Sequence, residues 1–192
     1  MRSTRTAPVP VRVRLADRKT LAADRQGPDR RSAAKVAYGE RVELAPITRA
    51  NWRDAAAIQV GAGQLRFIAS YEPVALVILS KAFVRVGDVD WWPYVVQDLG
   101  QCVGVLALVD ERERNGQVAL FHLLIDASRQ RCGYGRAALR LVVQLARSLD
   151  GCQRLHLTVH PDNQAALSLY LSEGFTRDGF DDDGELHLSI AV

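Results

Sequence analysis

No apolar run in this sequence approaches the roughly 20 residues that a membrane-spanning helix requires; the longest, Val74 to Leu79, has six. Cysteine is scarce as well. Cys102, Cys132 and Cys152 are odd in number and show no CxxC or other ligand spacing, which argues against a disulfide framework and against a metal site. An apolar signal-peptide core is missing, and the Arg30-Arg31 pair is followed by the polar stretch Ser32 to Glu40, not by an apolar segment. These scarcities lead us to expect a soluble protein of the reducing cytoplasm with no resident metal.

What is present is globular in character. Hydrophobic residues make up 48% and charged residues 24% of 192 residues, enough for one ordinary domain and too little for two large ones. The net charge of +3 is unevenly distributed. Residues 1–39 hold ten Lys/Arg against three Asp/Glu, so residues 40–192 carry fifteen against nineteen. The basic stretch also contains Pro8, Pro10 and Pro28 and few large apolar residues, a composition that buries too little surface to offset chain entropy. It reads as a disordered arm, with a docked edge strand over Val11 to Leu15 as the alternative and nucleic-acid contact as the less favoured role.

Residues 40–192 read as one domain. Arg41 to Ile47 suits a first strand, and Thr48 or Asn51 can cap a helix over Trp52 to Val60. Pro73 fits the first turn of a helix over Val74 to Val84, whose apolar surface runs nearly all the way round and so implies burial or a site wall. Trp91 to Gln97 and Cys102 to Val109 form a hairpin around Leu99-Gly100. A charged break with Asn115-Gly116 leads to a strand over Val118 to Ile125. Three successive strands then make a meander.

The stretch from Leu120 to Ala138 organises the rest. An apolar strand stops at Asp126, and a polar loop carries Gln130, Arg131, Gly133 and Gly135. A helix with Ala138, Leu141, Val142, Leu145 and Leu149 on one face follows at once. Glycines entering a helix let the backbone approach an anion, and the first N–H groups of that helix face it; an ordinary turn uses the same residues. Arg154 to His160 alternates as a strand, so strand, helix and strand imply a parallel pair. A helix from Gln164 to Glu173 ends at Gly174, an acidic stretch from Asp178 to Glu185 follows, and Leu186, Leu188 and Ile190 alternate as a last strand.

Gln130-x-x-Gly133-x-Gly135, followed by Asn163, Tyr170 and Gly174-Phe175, resembles the GNAT superfamily of N-acetyltransferases over about residues 41–192. Asn51-Trp52, Phe67-Ile68-Ala69-Ser70, His160-Pro161-Asp162-Asn163 and Asp183-Gly184-Glu185 resemble its spermine/spermidine, or diamine, branch. The resemblance implies an α/β (α+β) GNAT fold: a mixed sheet of about six to seven strands with about four helices, and the parallel pair around the coenzyme A site. It implies acetyl-CoA as co-substrate. The pantetheine arm is expected along Leu123, Leu124 and Ile125, and the pyrophosphate in the loop of Gln130, Arg131, Cys132, Gly133, Tyr134, Gly135 and Arg136. Asn163 and Tyr170 share one helical face and line the same cofactor.

The implied chemistry is direct attack of an amine on a thioester, with Tyr170 as general acid toward the departing thiolate. His122 is the candidate base, with a core histidine satisfied by a backbone group as the competing reading and a water relay to His122 or to a carboxylate elsewhere as the reserve. Cys132 would sit at a helix start, but a covalent route does not match direct transfer. The expected acceptor is the primary amine of a small molecule, with a polyamine as the family-level option. A peptide or protein amine, an aminoglycoside, and a non-catalytic CoA-binding interaction module are the alternatives. Pairing into a homodimer through the apolar helix or the last strands is left open.

Overall fold

The structure, a computed structural model, describes residues 41–68 and 73–192. The expected basic arm 1–39, the edge strand over Val11 to Leu15 and the pair Ala69-Ser70 lie outside the described residues.

Seven strands form one sheet in the order β1-β2-β3-β4-β5-β7-β6. They are β1 (Val42–Pro46), β2 (Asp90–Asp98), β3 (Gln101–Glu111), β4 (Gln117–Ile125), β5 (Arg154–Val159), β6 (Thr176–Phe180) and β7 (Leu186–Ala191). Four helices longer than one turn accompany them among the described residues: α1 (Trp52–Ala56), α2 (Val74–Val84), α4 (Tyr134–Ser148) and α5 (Gln164–Ser172), with α3 (Arg112–Asn115) a single turn. The expected mixed α/β fold is observed.

Both faces of the sheet are covered. Leu106 and Leu108 of β3 join the core beneath α4 with Leu139, Leu141 and Leu44. Val105 and Ala107, pointing the other way, join Val74, Ile78 and Ala55 of α2 and α1. An apolar run buried on two faces needs no alternation, which is why Val103 to Val109 reads as nearly continuous hydrophobicity. The β2–β3 hairpin turns through Leu99 and Gly100, both at positive φ (50° and 81°), the pattern of a tight type I′ turn.

The parallel contact between β4 and β5 is short. Gln117 to Ala119 pair with Arg154 to His156, and pairing stops there. On its other side β4 carries one extra residue opposite β3 between Phe121 and Leu124, the register shifting between Val105 and Ala107. His122 sits in that bulge at φ 55°. The two devices swing the C-terminal half of β4 away from β5 and open a cleft between the strands.

Two details differ from the sequence expectation. The helix over Trp52 to Val60 ends at Ala56, because the backbone of Gln59 turns away to hydrogen-bond Asp126 and Ala127. The acidic stretch after Phe175 contains β6, whose five residues are all exposed and so carry no burial pattern to read.

Candidate active site

The loop between β4 and α4 is built by side chains that replace regular backbone pairing. Asp126 caps a 3-10 turn over Ala127–Arg129 by accepting the Ser128 N–H at 3.0 Å, and its other oxygen accepts the Gln59 N–H at 3.0 Å. Gln130 donates from one amide nitrogen to the Ile125 carbonyl at 2.9 Å and to Gln64 Oε1 at 2.7 Å. The loop is thereby clamped to β4 and to the 3-10 segment Ala62–Phe67. Gly133 then adopts φ 89° with open space where a Cβ would stand, a conformation glycine takes without penalty.

α4 begins directly after Gly133 with no side-chain cap, and its first backbone bond to the loop is Ala137 N–H to Gly133 O at 3.0 Å. The N–H groups ahead of it lack intrahelical acceptors, and the dipole of a fifteen-residue helix adds positive potential there. Arg129 and Arg131 line the same space. Open glycine backbone, uncapped amides and two guanidinium groups fit a diphosphate.

A cavity of about 630 Å³ runs from this loop through the β4–β5 cleft. Of the residues expected from the sequence, it brings together His122, Leu123, Leu124, Ile125, Gln130, Arg131, Gly133, Tyr134, Gly135, Asn163 and Tyr170. Cys132 and Arg136 do not line it. The Cys132 thiol turns to the Gln130 carbonyl at 3.5 Å. Arg136 reaches Ser172 and, with Arg140, the Glu173 carboxylate, so its charge braces α4 against α5.

Several side chains have a structural task as well. The Tyr134 ring is buried under α4 and its hydroxyl donates to Asp98 Oδ2 at 2.7 Å, so this residue offers the cavity little beyond its backbone. Burial, then the Asp98 hydrogen bond, raise its phenol well above the ordinary range. Asn163 caps α5 by accepting the Ala166 N–H at 3.3 Å. Gly104 is needed for strand contact: a Cβ there would stand 2.4 Å from the Leu124 carbonyl oxygen.

Tyr170 is 8% exposed and packs its ring against Phe175 at 5.8 Å. No hydrogen bond within the protein engages its hydroxyl among the described residues. Burial pushes its pKa up to about 12, so the phenol keeps its proton throughout the physiological range. It can donate to a charge that forms beside it.

His122 is held by a side chain and not by backbone. Lys81 Nζ of α2 lies 3.1 Å from His122 Nε2. Burial, then the Lys81 charge, lower the imidazole pKa to about 4; the ring is neutral at pH 7 and donation by the ammonium occupies the Nε2 lone pair. Lys81 itself is lowered by burial and lies over the Trp91 ring at 5.0 Å and the Phe121 ring at 5.9 Å.

Lys81 and Arg66, which the sequence analysis does not single out, line the cavity, as does Glu185 from the end of the acidic stretch. The signal for Lys81 was available: it falls seven residues after Val74 and three after Ile78, on the buried face of α2. Glu185, just ahead of β7, is the only carboxylate among the described lining residues.

The Acetyltransferase (GNAT) family pattern matches residues 66–175. The spermine/spermidine N(1)-acetyltransferase of Bacillus subtilis (strain 168) is 34% identical over 83 residues, which cover 43% of this chain and 55% of that protein. N-acetyltransferase 8 of Homo sapiens is 35% identical over 77 residues, covering 40% of this chain and 34% of that one. The chain thus matches between a third and about half the length of these curated relatives. Among solved structures, spermidine N-acetyltransferase from Vibrio cholerae in complex with CoA and spermine superposes with a TM-score of 0.64 at 15% identity, covering 79% of this chain and 95% of that one. An aminoglycoside acetyltransferase in complex with coenzyme A gives 0.61 at 18% identity, covering 78% and 94%. At these identities the structural likeness is one of fold.

Proposed function

The chain belongs to the GNAT family of acetyltransferases, and on that premise we propose that it transfers an acetyl group from acetyl-CoA to a primary amine of a small molecule. The observation that carries the reading is that one cavity joins the uncapped start of α4, the half of β4 not paired with β5, and Tyr170.

Acetyl-CoA supplies the thioester. The loop of Gln130, Arg131 and Gly133 with the first amides of α4 holds the diphosphate, and Arg129 adds charge. The backbone of Leu123, Leu124 and Ile125, released from β5, offers amide groups to the pantetheine arm, while Asn163 and Tyr170 line the opposite wall. An uncharged amine attacks directly, forming the N–C bond as the C–S bond breaks. One proton moves from nitrogen to sulfur, and the proton lost on converting ammonium to amine goes to solvent. Tyr170 Oη holds its proton ready for the sulfur. His122, engaged by Lys81 and with so low a pKa, serves better as wall than as base, and Glu185 is the carboxylate through which a water relay can run.

The relatives' names make spermine, spermidine and an aminoglycoside the first acceptors to try, with a peptide amine added as the alternative from the sequence. Thiol release from acetyl-CoA, followed with an amine panel, tests the reading directly. Coenzyme A binding without thiol release from any amine would replace it with a non-catalytic CoA-binding module. Cys102, Cys132 and Cys152 are unpaired, which suits the reducing cytoplasm expected above. Leu76, Phe83 and Val84 of α2 are exposed and support pairing of two copies through that helix, which sedimentation at micromolar concentration reads out.

A further inference from the structure

One positive charge on the cavity wall, Lys81, has no ion-pair partner among the described residues. α2 is apolar on the face it turns to the sheet, with Val74, Ala75 and Ile78 buried, yet the next position on that face is Lys81. A lysine on a solvated face would reach into water. This one lies against Trp91, Phe121 and His122 and lines the cavity. No carboxylate forms an ion pair with it among the described residues. Ring faces and an imidazole lone pair stabilise an ammonium only in part, and a half-buried charge without an opposite charge is costly. An anion entering with a ligand would complete the arrangement.

The ammonium is also in the wrong place for the diphosphate. It belongs to α2 and contacts the β2 and β4 aromatics around the bulge at His122, whereas the diphosphate features cluster beyond Ile125, at the start of α4. Trp91 and Phe121 pack with ring centroids 5.1 Å apart and give the surroundings of Lys81 an apolar, aromatic surface. Glu185 borders the cavity from the other wall, on the β5–β7 side. A cation among aromatic rings on one side and a carboxylate on the other match a molecule carrying the opposite pattern.

We propose that the acceptor is an amine that also carries a carboxylate on an aromatic or apolar frame, the carboxylate seated on Lys81 between Trp91 and Phe121 and the amine directed toward the Glu185 wall. This rests on the acetyltransfer reading above and names the class of its acceptor. A single ammonium suits a monoanion, which favours carboxylate over phosphate. A polyamine would have to bring a second ammonium toward the Lys81 charge.

The test separates anion recognition from transfer. In protein saturated with coenzyme A, calorimetric titration with 3-phenylpropionate and with its uncharged amide should show the acid binding at least tenfold tighter. Lys81→Met should abolish that preference and Lys81→Arg should keep part of it. In the thiol-release assay, kcat/KM for 4-(aminomethyl)benzoate should exceed that for benzylamine at least tenfold, and the ratio should fall toward one in Lys81→Met. Equal binding of acid and amide by the unmodified protein overturns the proposal without recourse to any variant, as does an acid preference that survives Lys81→Met. Acid preference with no amine acetylated leaves Lys81 as the anion site and removes the transfer reading. Acetylation of benzylamine or spermidine with no acid preference removes the Lys81 assignment alone.

Discussion

Replacing Tyr170 by Phe changes one atom of the proposed chemistry and little else. The ring remains packed on Phe175, and the lost hydroxyl has no hydrogen-bond partner inside the protein among the described residues, so folding stability should move by less than about 0.5 kcal/mol. The lost donor matters only when the thiolate forms. A hydrogen bond to a charged group contributes about 1.5–3 kcal/mol, and with about 1.4 kcal/mol per tenfold in rate this predicts a fall in kcat of roughly 10- to 150-fold. KM for acetyl-CoA should stay within about threefold, since the diphosphate and pantetheine contacts are untouched. Because the phenol pKa is pushed up to about 12, it stays protonated to alkaline pH. The rise of rate with pH, set by deprotonation of the amine, should keep its shape in the variant. Thiol release at saturating amine with acetyl-CoA varied through its KM, repeated between pH 6.5 and 9.5, measures kcat, KM and the pH profile. An unchanged kcat, or a loss appearing wholly in KM for acetyl-CoA, would refute the assignment of Tyr170 as the donor to sulfur.

Three further outcomes concern the scaffold. Gly104→Ala should destabilise the protein by at least about 2 kcal/mol in urea unfolding, because a Cβ 2.4 Å from the Leu124 carbonyl oxygen forces β3 and β4 apart. Tyr134→Phe removes the donor to the buried Asp98, whose Oδ1 already has no partner among the described residues, and should cost about 1.5–3 kcal/mol, read as a lowered Tm. His122 is neutral in the fold down to about pH 4, while in the unfolded chain it protonates near pH 6.5. Its contribution is therefore complete above pH 6.5 and is lost as pH falls toward 4, by about 3 kcal/mol. His122→Asn, which tolerates the positive φ, should show a smaller drop in urea midpoint between pH 7 and pH 4.5; an equal drop would contradict the low imidazole pKa.

The sheet, the α2 boundaries and the Gly133 loop were legible because each is written locally: alternation, a proline before Val74, and glycines between an apolar strand and an amphipathic helix. β6 was not, since all five of its residues are exposed and its pairing depends on β7, a partner ten residues away. The shortened α1 was hidden for a similar reason. Its end is set by Asp126, 67 positions from Gln59. Within the site, Asn163 and Tyr170 are expected from the family resemblance, and their seven-residue spacing puts both on one helical face; both line the cavity. Lys81 was overlooked because a lysine ending an apolar helix reads as a surface residue, and only the sheet packed beneath α2 shows that it points inward. Arg136 shows the converse: its position beside the loop suggested a phosphate contact, but Glu173, remote in sequence, has claimed it.

The three-residue seam between β4 and β5 bears on how the molecule opens. Backbone hydrogen bonds join β1 through β4 into one block and β5, β7 and β6 into another, and α4, which touches β1, β4 and β5, is the main splint across them. Units joined so narrowly are expected to exchange their amide hydrogens as separate cooperative groups. A ligand hydrogen-bonded to β4 and lying against α5 would fasten the halves together, so that the residues from Arg154 onward would open only with the whole domain. Saturation with the donor would then change the number of exchanging groups as well as their protection, and the coenzyme would act as part of the fold's cooperativity.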